Sequence, residues 1–82
     1  MKAYMNIACG SDIRVANGVK MLIERGDYEV TKLTVDHDYS WRRNKEFTWV
    51  TLVTDPKTRR RIAEDLELKN RRQMRFFEFK AD

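Results

Sequence analysis

The sequence predicts a single α+β domain over residues 1–82: a four-stranded antiparallel sheet with two helices on one face, in the order β-α-β-β-α-β. Three observations carry this expectation. Four stretches rich in β-branched and aromatic residues, at 3–8, 28–36, 46–54 and 74–79, read as strands. Apolar residues at helical spacing follow the first and the third of them. The chain of 82 residues shows no repeat, linker or low-complexity segment, so it is one small domain with a stability of about 5 kcal/mol.

The elements follow in order. Ala3 to Ala8 form the first strand, which Cys9-Gly10 breaks. Ser11 or Asp12 caps the first helix, because a short side-chain oxygen satisfies a free backbone N–H. Val15, Ala16, Val19, Leu22 and Ile23 share one face of it, Gly18 weakens it, and Gly26 is placed to end it in a left-handed turn. Residues 28–36 read as the second strand, 37–45 as a polar and aromatic loop, and 46–54 as the third strand. Asp55-Pro56 is a strong helix start, with aspartate as cap and proline at the first helical position. Ile62, Ala63 and Leu66 give the second helix its apolar stripe, which fades at Lys69-Asn70. Residues 74–79 make the last strand, with Phe77 and Phe79 toward the core. A right-handed crossover leaves room for the third strand between the first two. This is the split βαβ or ferredoxin-like sandwich.

Charge is unevenly distributed. The net charge is +4, from 17 basic and 13 acidic side chains. Residues 1–40 hold five basic and six acidic side chains; residues 41–82 hold twelve and seven. Eight of the ten arginines lie beyond Ser40. Arginine pairs with phosphate through a planar fork and stacks on bases, so the basic half points to an anionic partner. No apolar run approaches the roughly 20 residues that span a bilayer, so no membrane role and a cytosolic setting are expected. The lone Cys9 allows neither an internal disulfide nor a cysteine zinc cluster, and no cofactor is expected.

In the third strand, alternation puts Thr48, Val50 and Leu52 toward the helices and Lys45, Phe47 and Trp49 on the opposite, open face. Two aromatics and a cation on an uncovered sheet form a platform on which bases stack, at about 1–3 kcal/mol per base. This resembles the RNA recognition motif. Lys45 matches that family's basic position, Phe47 and Trp49 its stacking aromatics, Thr48 its small position and Val50 its aliphatic one. Glu46 departs from the family's glycine and Leu52 from its final aromatic. The resemblance places Tyr4, on the first strand, as a third stacking ring, and implies binding of single-stranded RNA. The competing use of Phe47 and Trp49 is an apolar interface, against a second copy in a homodimer or under the C-terminal tail.

Three basic segments supply candidate phosphate contacts. Trp41, Arg42 and Arg43 lie in the loop between the second and third strands, where an exposed tryptophan beside arginines suits either a phosphate backbone or a protein anchor pocket. Arg59, Arg60 and Arg61 occupy the first turns of the second helix, where cations oppose the helix dipole and an anion relieves the conflict. Intrahelical pairs of Arg60 with Glu64 and Arg61 with Asp65 are the structural alternative. Arg71, Arg72 and Arg75 lead into the last strand and border the sheet.

No phosphate-cradling glycine loop, metalloprotease motif or nucleophile triad is present, and Asp36-His37-Asp38 reads as a solvated turn. An enzyme is therefore not expected. The leading expectation is a small single-stranded RNA-binding regulatory protein. The rival is a phage-type inhibitor or antitoxin that binds a host protein through the same aromatic and basic surface.

Overall fold

The computed structural model describes the backbone of residues 1–72 and 80–81 and the side chains of residues 1–68. Its elements are β1 (Ala3–Ala8), α1 (Ile13–Arg25), β2 (Lys32–Ser40), β3 (Lys45–Thr54), α2 (Pro56–Arg72) and β4 (Lys80–Ala81). The strand order is β2-β3-β1-β4, and every pairing is antiparallel.

The fold class is corrected here. The described sheet consists of three antiparallel strands of six to ten residues, to which Lys80–Ala81 adds only a two-residue ladder beside Ile7 and Ala8. It is not the four-stranded ferredoxin-like sandwich predicted above. One reason is visible in α2, which continues to Arg72 where the apolar stripe had suggested an end near Lys69. Nothing in Asn70-Arg71-Arg72 breaks a helix, since arginine is a good helix former. The strand expected at 74–79, with Phe77 and Phe79, lies outside the described residues.

Local chemistry accounts for the remaining elements. The Asp12 carboxylate caps α1 by accepting the Arg14 N–H at 2.9 Å. Gly10, with φ +74°, makes the left-handed step between β1 and α1, a conformation costing about 1–2 kcal/mol for a residue with a Cβ. Gly26 does not make the left-handed turn expected of it: its φ is −73°, and its N–H closes the helix on the Leu22 carbonyl at 3.1 Å. Glycine is needed there for space, because a Cβ would lie 2.6 Å from Tyr28 Cδ2 and closer still to Cε2. The Tyr28 hydroxyl donates to Asp65 on α2, and the Arg61 guanidinium lies 5.3 Å over the Tyr28 ring. Burial and the Asp65 carboxylate push the Tyr28 hydroxyl up to about 12. This ring ties the α1–β2 connection to α2. At Asp55 the carboxylate accepts both the Thr58 N–H at 2.8 Å and the Thr58 hydroxyl at 2.7 Å, which starts α2.

Both helices pack on one face of the sheet. Met5, Ile7 and Cys9 of β1 and its edge, with Val50 and Leu52 of β3, meet Val15, Ala16, Val19 and Ile23 of α1 and Ile62 and Leu66 of α2. Leu33 and Val35 of β2 extend this core at its margin. Fully burying side chains of this size contributes about 1.5–3 kcal/mol each before conformational entropy is set against it. The expected loop at 37–45 is also corrected. Residues 37–40 belong to β2, and the turn is only Trp41–Asn44, closed by Asn44 at φ 49°. The four residues 28–31, expected as strand, run into β2 as irregular chain. The polar run Asp-His-Asp is strand because it pairs with Trp49, Thr48 and Phe47 of β3, and its own side chains are exposed on both faces.

Candidate nucleic-acid interface

Cross-strand register defines the face that the helices leave open. Its rows, read from β2 through β3 to β1, are Lys32–Val53–Tyr4, Thr34–Thr51–Asn6 and Asp36–Trp49–Ala8, followed by Asp38–Phe47 and Ser40–Lys45. Residues directly opposite in an antiparallel pair share a face. Lys45, Phe47, Trp49 and Tyr4 therefore lie on one side of the sheet, the side opposite the core. No described element packs over them. Phe47 and Trp49 are half-buried, and the Lys45 ammonium lies 5.9 Å over the Phe47 ring.

The arrangement is less continuous than a three-ring platform. Phe47 and Trp49 are two residues apart on β3, roughly 7 Å. Tyr4 sits two rows away from Trp49 and one strand over, about 14 Å. It is 72% exposed, with the Thr51–Asn6 row between. Glu46, where the resembled family has glycine, is on the helix side of the sheet and faces His37 at 3.4 Å. The carboxylates that do border the rings are Asp36, opposite Trp49, and Asp38, opposite Phe47. Sequence reasoning missed both: a strand ending at Asp36 does not reveal its partner on β3, and a loop reading of 37–45 hides the alternation that aims Asp38.

The hairpin tip is more exposed than these rings, and its Tyr39 lies on the helix side, opposite Glu46. Trp41 is 87% exposed. Its ring stands edge-on to Tyr39, with centroids 5.0 Å apart and planes at 78°. The Tyr39 hydroxyl is in turn fastened to the Asn44 side chain. Arg42 and Arg43 complete the turn and are exposed. An edge-to-face pair occupies at most one face of Trp41 and leaves the other free for stacking, and pairs of this kind are worth about 0.5–1.5 kcal/mol. No signal in the sequence marks the Tyr39–Trp41–Asn44 contact. It follows from the turn being four residues rather than nine.

The other basic residues do not join this surface. β3 is ten residues long and so about 30 Å from the tip to Thr54. Arg59, Arg60 and Arg61 lie in the first turns of α2, beyond that far end and on the helix side. Arg61 and Asp65 both engage Tyr28 there. Arg71 and Arg72 are in the last turn of α2 rather than in a loop along the sheet, and Arg75 lies outside the described residues.

Two further groups bear on chemistry. The Cys9 thiol is buried, donates to the Ile7 carbonyl at 3.3 Å, and is pushed up to about 11 by burial. Asp36 and His37 project from opposite faces of β2, while Asp12 is held below the usual carboxylate range by the Arg14 guanidinium and backbone. These residues do not converge. Among the described residues, no three His, Cys, Asp or Glu side chains gather as a metal site, and no helix is long and apolar enough to cross a membrane. Compared with protein families, curated proteins and solved structures, the chain matches none.

Proposed function

We propose that this chain binds single-stranded RNA at the hairpin end of its sheet. The observation that carries the reading is Trp41: a nearly fully exposed tryptophan, braced by Tyr39, in a turn with two free-standing arginines. One base stacks on Trp41 while Arg42 and Arg43 take the neighbouring phosphates. Tyr39 pairs with Glu46 on the helix side of β3, so the RNA strand bends around the hairpin to reach Lys45, Phe47 and Trp49 on the open face. The carboxylates of Asp36 and Asp38 repel phosphate on the β2 side, so the nucleic-acid backbone runs over the β1 side, past Ala8 and Asn6. Stacking supplies affinity without strong sequence preference, because every base offers a π-face.

The test is a titration with short single-stranded RNA followed by tryptophan fluorescence. Saturable quenching is expected, most of it lost in Trp41→Ala and a smaller part in Trp49→Ala. Absence of binding at low salt overturns the reading. A second reading has its own support: Asp36 and Asp38 beside Trp49 and Phe47 suit a basic protein surface better than a phosphate chain. It predicts a stoichiometric complex with a protein target, of the inhibitor or antitoxin kind, that forms without nucleic acid and is lost in Trp49→Ala.

A further inference from the structure

We infer that β2 is a dimerisation edge: two copies pair antiparallel through residues 32–38, about a two-fold axis at Val35. β2 is the outermost strand in the order β2-β3-β1-β4 and is nine residues long. Its outer side carries backbone N–H and C=O groups with no described strand beside them. Such an edge is a template for pairing, and charged side chains along it commonly serve to block that. Here the charges are arranged to do the opposite.

In a two-fold antiparallel pair centred on Val35, facing residues have numbers that sum to seventy. Lys32 then faces Asp38 of the second copy, and by symmetry this happens twice. Thr34 faces Asp36, placing a hydroxyl against a carboxylate, again twice. On the helix side Leu33 faces His37, and Val35 meets its own symmetry mate. Lys32, Thr34, Asp36, His37 and Asp38 are all exposed in one copy, whereas Leu33 and Val35 are half-buried at the margin of the core. The axis is perpendicular to the sheet, so the helices of both copies lie on the same side and the two cores adjoin at Val35. The result is a continuous sheet in the order β4-β1-β3-β2-β2-β3-β1-β4.

Neighbouring registers are worse. Centring on Asp36 sets that carboxylate against its own copy. Centring on His37 sets Asp36 against Asp38 twice. Centring on Thr34 keeps opposite charges together but pairs only residues 32–36. Like charges directly opposite destabilise a ladder and opposite ones support it, so the charge pattern selects Val35. The open face and the hairpin tip stay uncovered, so this inference does not depend on RNA binding.

Sedimentation equilibrium tests it on the wild type, Lys32→Glu, Asp38→Lys and the double variant, with circular dichroism confirming that each is folded. The wild type is expected to dimerise with concentration. Each single reversal acts at two symmetric pairs and should weaken the dimer by about tenfold or more. The double variant should return to near the wild-type constant, because it swaps the partners of the same pairs. A wild type that stays monomeric at its highest soluble concentration overturns the proposal. So do single variants with unchanged association, or a double variant that fails to recover.

Discussion

Replacing Arg42 and Arg43 together by alanine separates binding at the hairpin tip from binding that wraps the whole molecule. If the tip alone holds RNA, three cations meet phosphates: Arg42, Arg43 and Lys45. Each neutralised phosphate on a single strand contributes about −0.7 to the slope of log K against log salt. The expected slope is therefore about −2, a loss of roughly twentyfold in affinity between about 50 and 200 mM salt. Only Lys45 remains in the double variant, so its slope falls to about −0.7 and the loss to about threefold. Were Arg59, Arg60 and Arg61 also engaged, the slope would be about −4 and the loss about 300-fold. The assay is fluorescence titration at four or five salt concentrations, for the wild type, the tip variant and Arg59→Ala/Arg60→Ala/Arg61→Ala. A slope unchanged in the tip variant, or one that falls in the helix variant, refutes the placement. The separation behind the prediction is structural: α2 starts after Thr54, at the far end of a ten-residue strand from the hairpin tip.

Further outcomes follow from the fold itself. Gly18 lies inside α1 with nothing within 4 Å of where a Cβ would be, so Gly18→Ala should raise stability by about 0.5–1 kcal/mol in urea unfolding. Gly26→Ala should lower it by about 1–3 kcal/mol in the same assay, because the new methyl displaces the Tyr28 ring and its link to Asp65. Cys9 should react with a thiol reagent at pH 8 only at the rate of unfolding, since burial raises its thiol to about 11; fast labelling of native protein would contradict this. The capping carboxylates Asp12 and Asp55 are both held below their ordinary value, by Arg14 and by Thr58 respectively. A carboxylate depressed in the folded state contributes stability at neutral pH that is lost as pH falls. Thermal melts should therefore drop below about pH 4, and less so in Asp12→Asn, which has no such charge to lose.

Several parts of this molecule are legible because their causes are local. A short polar cap before an apolar stripe starts α1, and Asp55-Pro56 starts α2; both signals act within three residues of themselves. Alternation over residues 47–52 of β3 reveals which side chains face the helices and which face away. The readings that needed correction depend on distant chain. β2 is displaced by four residues because Asp36-His37-Asp38 looks like a turn until β3 is laid beside it. α2 overruns its expected end because its last turns carry no stop signal. The four-stranded sandwich required a full last strand, and the described sheet has a two-residue ladder in that place.

The sequence by itself determined an α+β chain with a basic second half, its two capped helix starts, and an aromatic pair on the open side of β3. Those depend on side-chain chemistry and on the twofold period of a strand, which neighbours in sequence are enough to establish. Only the tertiary structure decided that Asp36 and Asp38 flank the rings and that Tyr4 stands two rows off. It also decided that the arginines of the hairpin tip and those at the start of α2 stand at opposite ends of β3, and that β2 is an edge strand. Each of these is a relation between strands, and strand register is settled by burying one apolar face against two helices at once.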